Sequence, residues 1–313
     1  MECVFGIDIG GTNIKIGKFY GDELAESRRI KTDKSDVGAN ILGDVARVVR
    51  EMRGGDEIAG IGIGVPGPVV GGVVLGAQNL GWKEFNVEEE LGKFFPGVVI
   101  RVLNDANAAA VGEWAYGSGA GFSSFILMTL GTGIGGGLIV DNELVEGASG
   151  STGEIGHIRV GYHNDRLCTC GLYDCIEQYA SATGVVITAN RLRVGRETIL
   201  NEIEVTAKNI FDHAKLGDEV CLEVVNHMVE KLASALAAIT NTVNPEVIVL
   251  GGGVSKAGKF LLDRVEKRFR ELAFFSVRNT KFALAEMGNA AGMYGCAYEA
   301  RKKICKLKDS ALN

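Results

Sequence analysis

The sequence predicts an α/β protein made of two related halves, each combining strands with helices. Three observations carry the prediction. Strand-like and helical stretches follow one another along the whole chain. Two strand-like hairpins, one at the start and one near residue 130, bend at turns of glycine and threonine: Asp8-Ile9-Gly10-Gly11-Thr12 and Leu130-Gly131-Thr132-Gly133. The 313 residues are 46% hydrophobic and 23% charged, enough apolar material for a sizeable core.

Residues 3–19 alternate around the first turn as a β-hairpin does, with Val4 to Ile9 on one arm and Ile14 to Phe19 on the other. Residues 36–53 carry Ile41, Leu42, Val45, Val48 and Val49 at helical spacing. A buried strand over 58–65 runs into Pro66-Gly67-Pro68. Another over 98–103 ends at Asn104-Asp105, and an Ala-rich helix follows over 106–115. The second half repeats the opening: 125–130, the glycine turn, then 138–140, with Asp141-Asn142 for the next bend. Past a cysteine-bearing loop the chain reads helical to about 240, and Pro245 stops it. Val247 to Leu250 reads as a buried strand leading into Gly251-Gly252-Gly253. Helices are expected over about 257–272 and 288–303, the last with Gly288, Ala291, Gly292 and Gly295 on a face suited to close backbone packing.

Composition excludes several classes. The net charge is -6, and the only basic cluster, Arg301 to Lys308, reads as a solvated helix end, so no nucleic-acid partner is expected. Seven cysteines is an odd number, no signal peptide is expected ahead of Cys3, and no apolar run reaches membrane-span length. A reduced, cytoplasmic protein with no membrane partner is expected. Cys3, Cys221, Cys296 and Cys305 are expected as small packed hydrophobes.

The glycine turns carry the first chemical signal. Phosphates need backbone N–H groups at close range, which glycine leaves uncovered, and a threonine hydroxyl adds a donor. Each turn alone also suits a plain hairpin; two of the same chemistry favour phosphate. Asp8 stands where a carboxylate can hold Mg²⁺. Two look-alikes fail. Gly131 to Gly136 fits a dinucleotide G-x-G-x-x-G, but a strand rather than a helix is expected after it. Gly253 to Phe260 nearly fits a phosphate-binding loop, but Phe260 stands where Ser or Thr is required. Gly251 to Gly253 remains a nucleotide contact at a strand end. Asp105 reads locally as a helix cap, the favoured role, or as a base facing a cleft.

Cys168-Thr-Cys170-Gly-Leu-Tyr-Asp174-Cys175-Ile-Glu177, preceded by Glu154-Ile-Gly-His157, outlines a tetrahedral metal site. Its C-x-C-x₄-C spacing differs from ordinary zinc fingers. Glu154 and Glu177 beside it read either as solvated acids or as acceptors for sugar hydroxyls.

Together these motifs resemble the ROK family of bacterial sugar kinases and repressors, over essentially the whole chain. The early Asp-Ile-Gly-Gly-Thr turn, Val65-Pro-Gly-Pro68, Asn79-Leu-Gly-Trp82, Asn104-Asp-Ala-Asn107, Gly153-Glu-Ile-Gly-His157 and Cys168 to Glu177 all match in order. Asp174 departs from the family's usual glycine, which puts the local turn in question. The resemblance implies a duplicated, two-lobed actin-like (ribonuclease-H-like) fold with a structural zinc loop. It implies a small lobe over 1–112, with helix 297–313 packing back on it, and a large lobe over 113–296. It also implies an ATP-dependent sugar kinase with Asp105 as base toward a 6-hydroxyl. Gly67, Asn79, Asn104, Glu154, His157 and Glu177 would hold the sugar, and Asp8 would organise Mg²⁺. Gly10, Gly11, Thr12, Gly131, Thr132 and Gly133 would hold phosphates, and Gly252 and Gly253 the nucleoside side. His157, Cys168, Cys170 and Cys175 would bind structural Zn²⁺. The segment Asn79 to Trp82 with Glu154 to His157 looks most like the glucokinase branch. Kinases for mannose, fructose, allose, N-acetylmannosamine or N-acetylglucosamine stand as alternatives. So do a non-catalytic sugar sensor, and polyphosphate or ADP as donor. Repressors of the family carry a DNA-binding helix-turn-helix before the first hairpin, for which Asp8 comes too early. Members are often homodimers.

Overall fold

The computed structural model describes residues 1–312. Strand β1 (Glu2–Ile9) and β2 (Asn13–Tyr20) form the expected hairpin, with Ile9 opposite Ile14 and Val4 opposite Phe19. β3 (Glu23–Lys31) adds an outer strand. Helix α1 (Ile41–Arg53) sends Ile41, Leu42, Val45, Val49 and Met52 into the core. β4 (Glu57–Val65) returns parallel to β1. Three two-residue strands, β5 (Val69–Val70), β6 (Val73–Val74) and β7 (Phe85–Asn86), form a small antiparallel flap. Helix α2 (Val87–Phe94) then leads to β8 (Val99–Asn104), parallel to β4, and to helix α3 (Asp105–Tyr116).

The second half repeats this plan. β9 (Phe125–Leu130) and β10 (Ile134–Val140) are a hairpin, and β11 (Glu143–Leu144) extends it. Helices α4 (Glu177–Ala180), α5 (Ala182–Leu192), α6 (Ala207–Lys215) and α7 (Glu219–Val243) follow. β12 (Val247–Gly251) lies parallel to β9 and runs into the short helix α8 (Gly252–Ser255). Helix α9 (Lys259–Leu272), β13 (Lys281–Leu284) and α10 (Ala291–Leu312) complete the chain. The strand orders are β3-β2-β1-β4-β8 and β11-β10-β9-β12-β13. In both, the first strand is antiparallel to its hairpin partner and parallel to the two that follow on its other side. The duplication expected from two glycine turns is therefore a duplication of whole sheets.

Beyond the two-residue strands β5, β6, β7 and β11, two longer strands escape sequence reading, for one reason. β3 carries Glu23, Glu26, Arg28, Arg29 and Lys31 and lies at a sheet edge, mostly exposed. β13 is four residues long, at an edge of the second sheet. Edge strands need no apolar alternation and often carry charge. The last helix begins at Ala291, with Gly288–Ala290 as a preceding turn, and extends to Leu312. Asn313, included in the terminal helix on sequence, lies outside the described residues. No helix among the described residues is long and apolar enough to cross a membrane.

α10 crosses α3 and lies against β1 and β4. Its small residues allow the contact: a Cβ at Gly295 would overlap the carbonyl oxygen of Ala108, and one at Gly112 would overlap that of Ala291. Backbone oxygens in a helix cannot swing aside, so the helices would have to part. Gly295→Ala is expected to cost about 3 kcal/mol and lower Tm by roughly 6 °C or more, measured by calorimetry. An unchanged Tm would mean that the two helices do not touch here.

Candidate active site

Parallel strands deliver their C-terminal ends to one edge of a sheet, where ligands gather. In the first sheet Asp8 is level with Gly64, and Gly64 with Leu103, so Asn104 and Asp105 begin just past that line. Only β4 separates Asp8 from them, about 10 Å at ordinary strand spacing. In the second sheet Gly251 is level with Thr129. The glycine turn after β9 and the glycines after β12 therefore leave from the same edge. Between the two edges lies a cleft of about 800 Å³.

Asp8, Gly67, Asn79, Asn104, Asp105, Glu154, His157 and Glu177 all line this cleft, with Gly131 and Gly133 of the second turn. Gly252 and Gly253 line an adjoining cavity of about 440 Å³, which shares Ala109, Thr129, Gly288 and Asn289 with the cleft. Gly10, Gly11, Thr12 and Thr132 occupy the bends of the two hairpins and are not part of either lining.

The cap and the candidate base are different residues. Asn104 caps α3: its Oδ1 accepts from the N–H of Ala106 at 2.9 Å and of Asn107 at 3.0 Å. Asp105, which local sequence favours as the cap, is the first helical residue and also accepts from Ala106 N–H, at 2.8 Å. Its carboxyl group is free to face the cleft. Burial, reinforced by the negative charges of Asp8 and Glu154, pushes its pKa up to about 6. Asn104 also fixes the neighbouring loop, donating from Nδ2 to the carbonyl of Gly67 at 3.1 Å. Gly67 itself has φ 91°, and a Cβ there would overlap the carbonyl oxygen of Gly76, so only glycine suits this bend.

Asp8 pairs with Lys15 at 2.8 Å. Lys15 also lines the cleft, and sequence reading passed over it. The i+7 spacing across a tight hairpin carries the signal: Asp8 and Lys15 are directly opposite in the β1–β2 register. Thr32, the residue after β3, secures the first turn, donating Oγ1–H to the carbonyl of Gly10 at 2.7 Å and N–H to that of Thr12 at 3.0 Å. In the second hairpin the G-x-G-x-x-G look-alike runs directly into β10, which removes the helix that a dinucleotide fingerprint requires.

Glu177 does something other than stand in solvent. Its Oε2 accepts from the N–H of Ile134 at 2.9 Å, and a Cβ at Gly133 would overlap it. It thus joins the cysteine loop to the second glycine turn.

The four predicted ligands converge. Donor atoms of His157, Cys168, Cys170 and Cys175 all lie within 4.8 Å of one another. Cys168 Sγ is 3.7 Å from His157 Nδ1, and Cys170 Sγ is 3.6 Å from Cys175 Sγ. Tetrahedral zinc with ordinary Zn–S and Zn–N lengths spaces its donors by about 3.3–3.8 Å, so the set fits that ion. Nδ1 faces the thiols, while Nε2 lies on the Glu154 side, 3.9 Å from Oε2. Asp174, the departure from the family pattern, keeps the turn. It adopts φ 61°, a glycine-like conformation, and its Oδ1 accepts from the N–H of Asp165 and of Arg166, each at 3.0 Å, and from Tyr179 OH at 2.7 Å. Buried Arg166 braces the loop further, donating to the carbonyl of Gln178 and to Thr188 Oγ1.

The family model for the ROK family matches residues 4–303. A glucokinase of Halalkalibacterium halodurans is 37% identical to this chain, over 93% of the chain and 92% of the relative. A glucokinase of Streptomyces coelicolor is 32% identical, over 96% and 98%. Among solved structures, a ROK family glucokinase from Streptomyces griseus in complex with glucose and AMPPNP superposes with a TM-score of 0.78 at 32% identity, covering 96% of this chain and 99% of that one.

Proposed function

The chain belongs to the ROK family, and we propose that it is a glucokinase, moving the γ-phosphoryl group of ATP to the 6-hydroxyl of glucose. The observation that carries this reading is Asp105: relieved of capping by Asn104, set at the cleft edge of the first sheet, with a pKa near 6. A general base serves best when its pKa lies near the working pH. In loose phosphoryl transfer the hydroxyl proton leaves late, so Asp105 chiefly orients the attacking oxygen. Asn104, Glu154, His157 and Glu177 are suited to the remaining hydroxyls, with Gly67 and Asn79 completing the wall. Gly10, Gly11, Thr12, Gly131, Thr132 and Gly133 take the phosphates in this reading, and Gly252 and Gly253 the nucleoside side.

Asp8 and Asp105 offer two carboxylates at the same sheet edge, one strand apart, and Lys15 already sets a cation against Asp8. That donor chemistry fits Mg²⁺, with Asp8 as its organiser; when bound, the ion offsets the charge of the β- and γ-phosphates. Zinc at His157, Cys168, Cys170 and Cys175 would be structural, holding the imidazole by Nδ1 and leaving Nε2 for the sugar.

The names of the relatives support glucose and ATP. Release of ADP, measured over glucose, mannose, fructose, allose, N-acetylmannosamine and N-acetylglucosamine, tests the assignment. Glucose is expected to give the highest kcat/KM. A different preferred hexose overturns the glucose assignment alone. Absence of sugar phosphate, measured directly, with every hexose and with ATP, polyphosphate or ADP as donor favours a sugar sensor without catalysis. The pH profile is a second test. Asp105 must be ionised to accept a proton, so log kcat/KM for the sugar is expected to fall with unit slope as the pH drops below about 6. A profile flat down to pH 5 removes the raised carboxyl from the rate.

A further inference from the structure

We propose that Thr183, at the start of α5, is a positioning residue for the nucleotide's phosphates. This rests on the kinase reading above and extends it to a residue outside the cleft lining. Three consecutive units of the second glycine turn are held from the α4–α5 junction. Ala182 N–H donates to the carbonyl of Gly131 at 2.8 Å. Thr183 Oγ1–H donates to the carbonyl of Thr132 at 3.0 Å. The Ile134 N–H is taken by Glu177 at 2.9 Å.

A trans peptide points its C=O and the following N–H in opposite directions. With the carbonyl of Gly131 turned toward Ala182, the N–H of Thr132 must point away from α5. With the carbonyl of Thr132 turned toward Thr183, the N–H of Gly133 must do the same. Neither N–H has a hydrogen-bond partner among the described residues. Two adjacent backbone donors, uncovered by side chains and aimed together, form an anion-binding concavity. The orientation of the second depends on one side-chain hydroxyl. Without it the Thr132–Gly133 peptide, with the conformational freedom of Gly133 on one side, is free to rotate and lose its aim.

Thr183 is exposed, so removing its hydroxyl leaves no buried void. It is also absent from the lining of the cleft that holds Asn104, Asp105 and the other proposed sugar contacts, so sugar binding is not expected to respond. The position therefore separates a phosphate-positioning role from a general structural one.

The experiment compares the full chain carrying Thr183→Val, which keeps the shape and loses the donor, with Thr183→Ser, which keeps the donor. Binding of MgADP without sugar, and of glucose without nucleotide, is measured by calorimetry alongside KM and kcat. Thr183→Val is expected to weaken MgADP and raise KM for ATP about tenfold, the weight of one hydrogen bond. Glucose affinity stays within twofold, and Thr183→Ser restores nucleotide binding to within twofold of wild type. An unchanged MgADP affinity in Thr183→Val, an equal loss of glucose affinity, or failure of the Ser variant to restore binding overturns the proposal. Should the wild-type chain bind no MgADP and turn over no hexose, the kinase reading itself fails, before any variant is compared.

Discussion

Asp105→Asn is expected to lower kcat by about three orders of magnitude, within the range for losing a general base, while making the protein more stable above pH 7. Both effects have one cause. Burial and the charges of Asp8 and Glu154 raise this carboxyl to about 6, above an unfolded value near 3.9. The folded state therefore binds the proton more readily than the unfolded state. Ionised Asp105 weakens the fold above about pH 6, and the penalty disappears as the pH falls through 6 toward 4. The shift corresponds to about 3 kcal/mol at most; residual contact with water in the cleft reduces this to about 1–2 kcal/mol. At roughly 2–4 °C per kcal/mol, the Asn variant should melt a few degrees higher at pH 8 and match wild type at pH 4. Sugar affinity should stay within about tenfold, because the loss falls on the transition state. Near-normal turnover would remove Asp105 as the base. An equal or lower Tm at pH 8 would remove the buried-charge account.

The cleft was legible because its parts lie at the ends of elements with strong patterns. Ile7, Ile9, Ile14 and Ile16 are fully buried and sit on a hairpin whose alternation is plain in the sequence. The glycine turns mark where that alternation breaks. The final helix showed a small-residue face suited to close packing, and the structure supplies the partner: Ala291 and Gly295 of that face meet α3. The cysteine spacing announced a ligand set, and four donors do converge. Asp105 was less legible. Adjacent Asn104 and Asp105 are both good caps, and a one-residue difference in helix start decides which one is released to the cleft.

The contacts that tie one element to another stayed hidden. Lys15 meets Asp8 only once the hairpin register is known. Thr32 clamps the first turn from just past β3, an edge strand too charged to announce itself. Glu177 reaches back 43 positions to Ile134, and Thr183 back 51 to Thr132. No local periodicity encodes such pairings, because they depend on how two separately folded segments meet. Asp174 is similar: its carboxylate supplies through hydrogen bonds what the family's glycine supplies through freedom of φ.

Cys170→Ala carries the second large effect. Cys168 and Cys175 are buried, so truncating either would remove packing together with a ligand. Cys170 is exposed, and its loss leaves no void. The variant thus isolates the metal. Metal binding by such a set stabilises the fold by roughly 10–16 kcal/mol in small zinc domains. Here the loop has other supports: Arg166 on Gln178 and Thr188, and Asp174 on two backbone N–H groups. The fold should survive and the loop should loosen. Elemental analysis is expected to show zinc falling from about one per chain to near none, and KM for the sugar should rise about a hundredfold, as when the orientation of a metal-held histidine is lost. Cys305, expected as a packed hydrophobe, is instead an exposed thiol on the last helix, and Cys305→Ala should change neither. An unaltered sugar KM in a zinc-free Cys170 variant would mean that hydrogen bonding alone positions His157, Glu154 and Glu177. Zinc retained at full content would mean that three of the donors suffice.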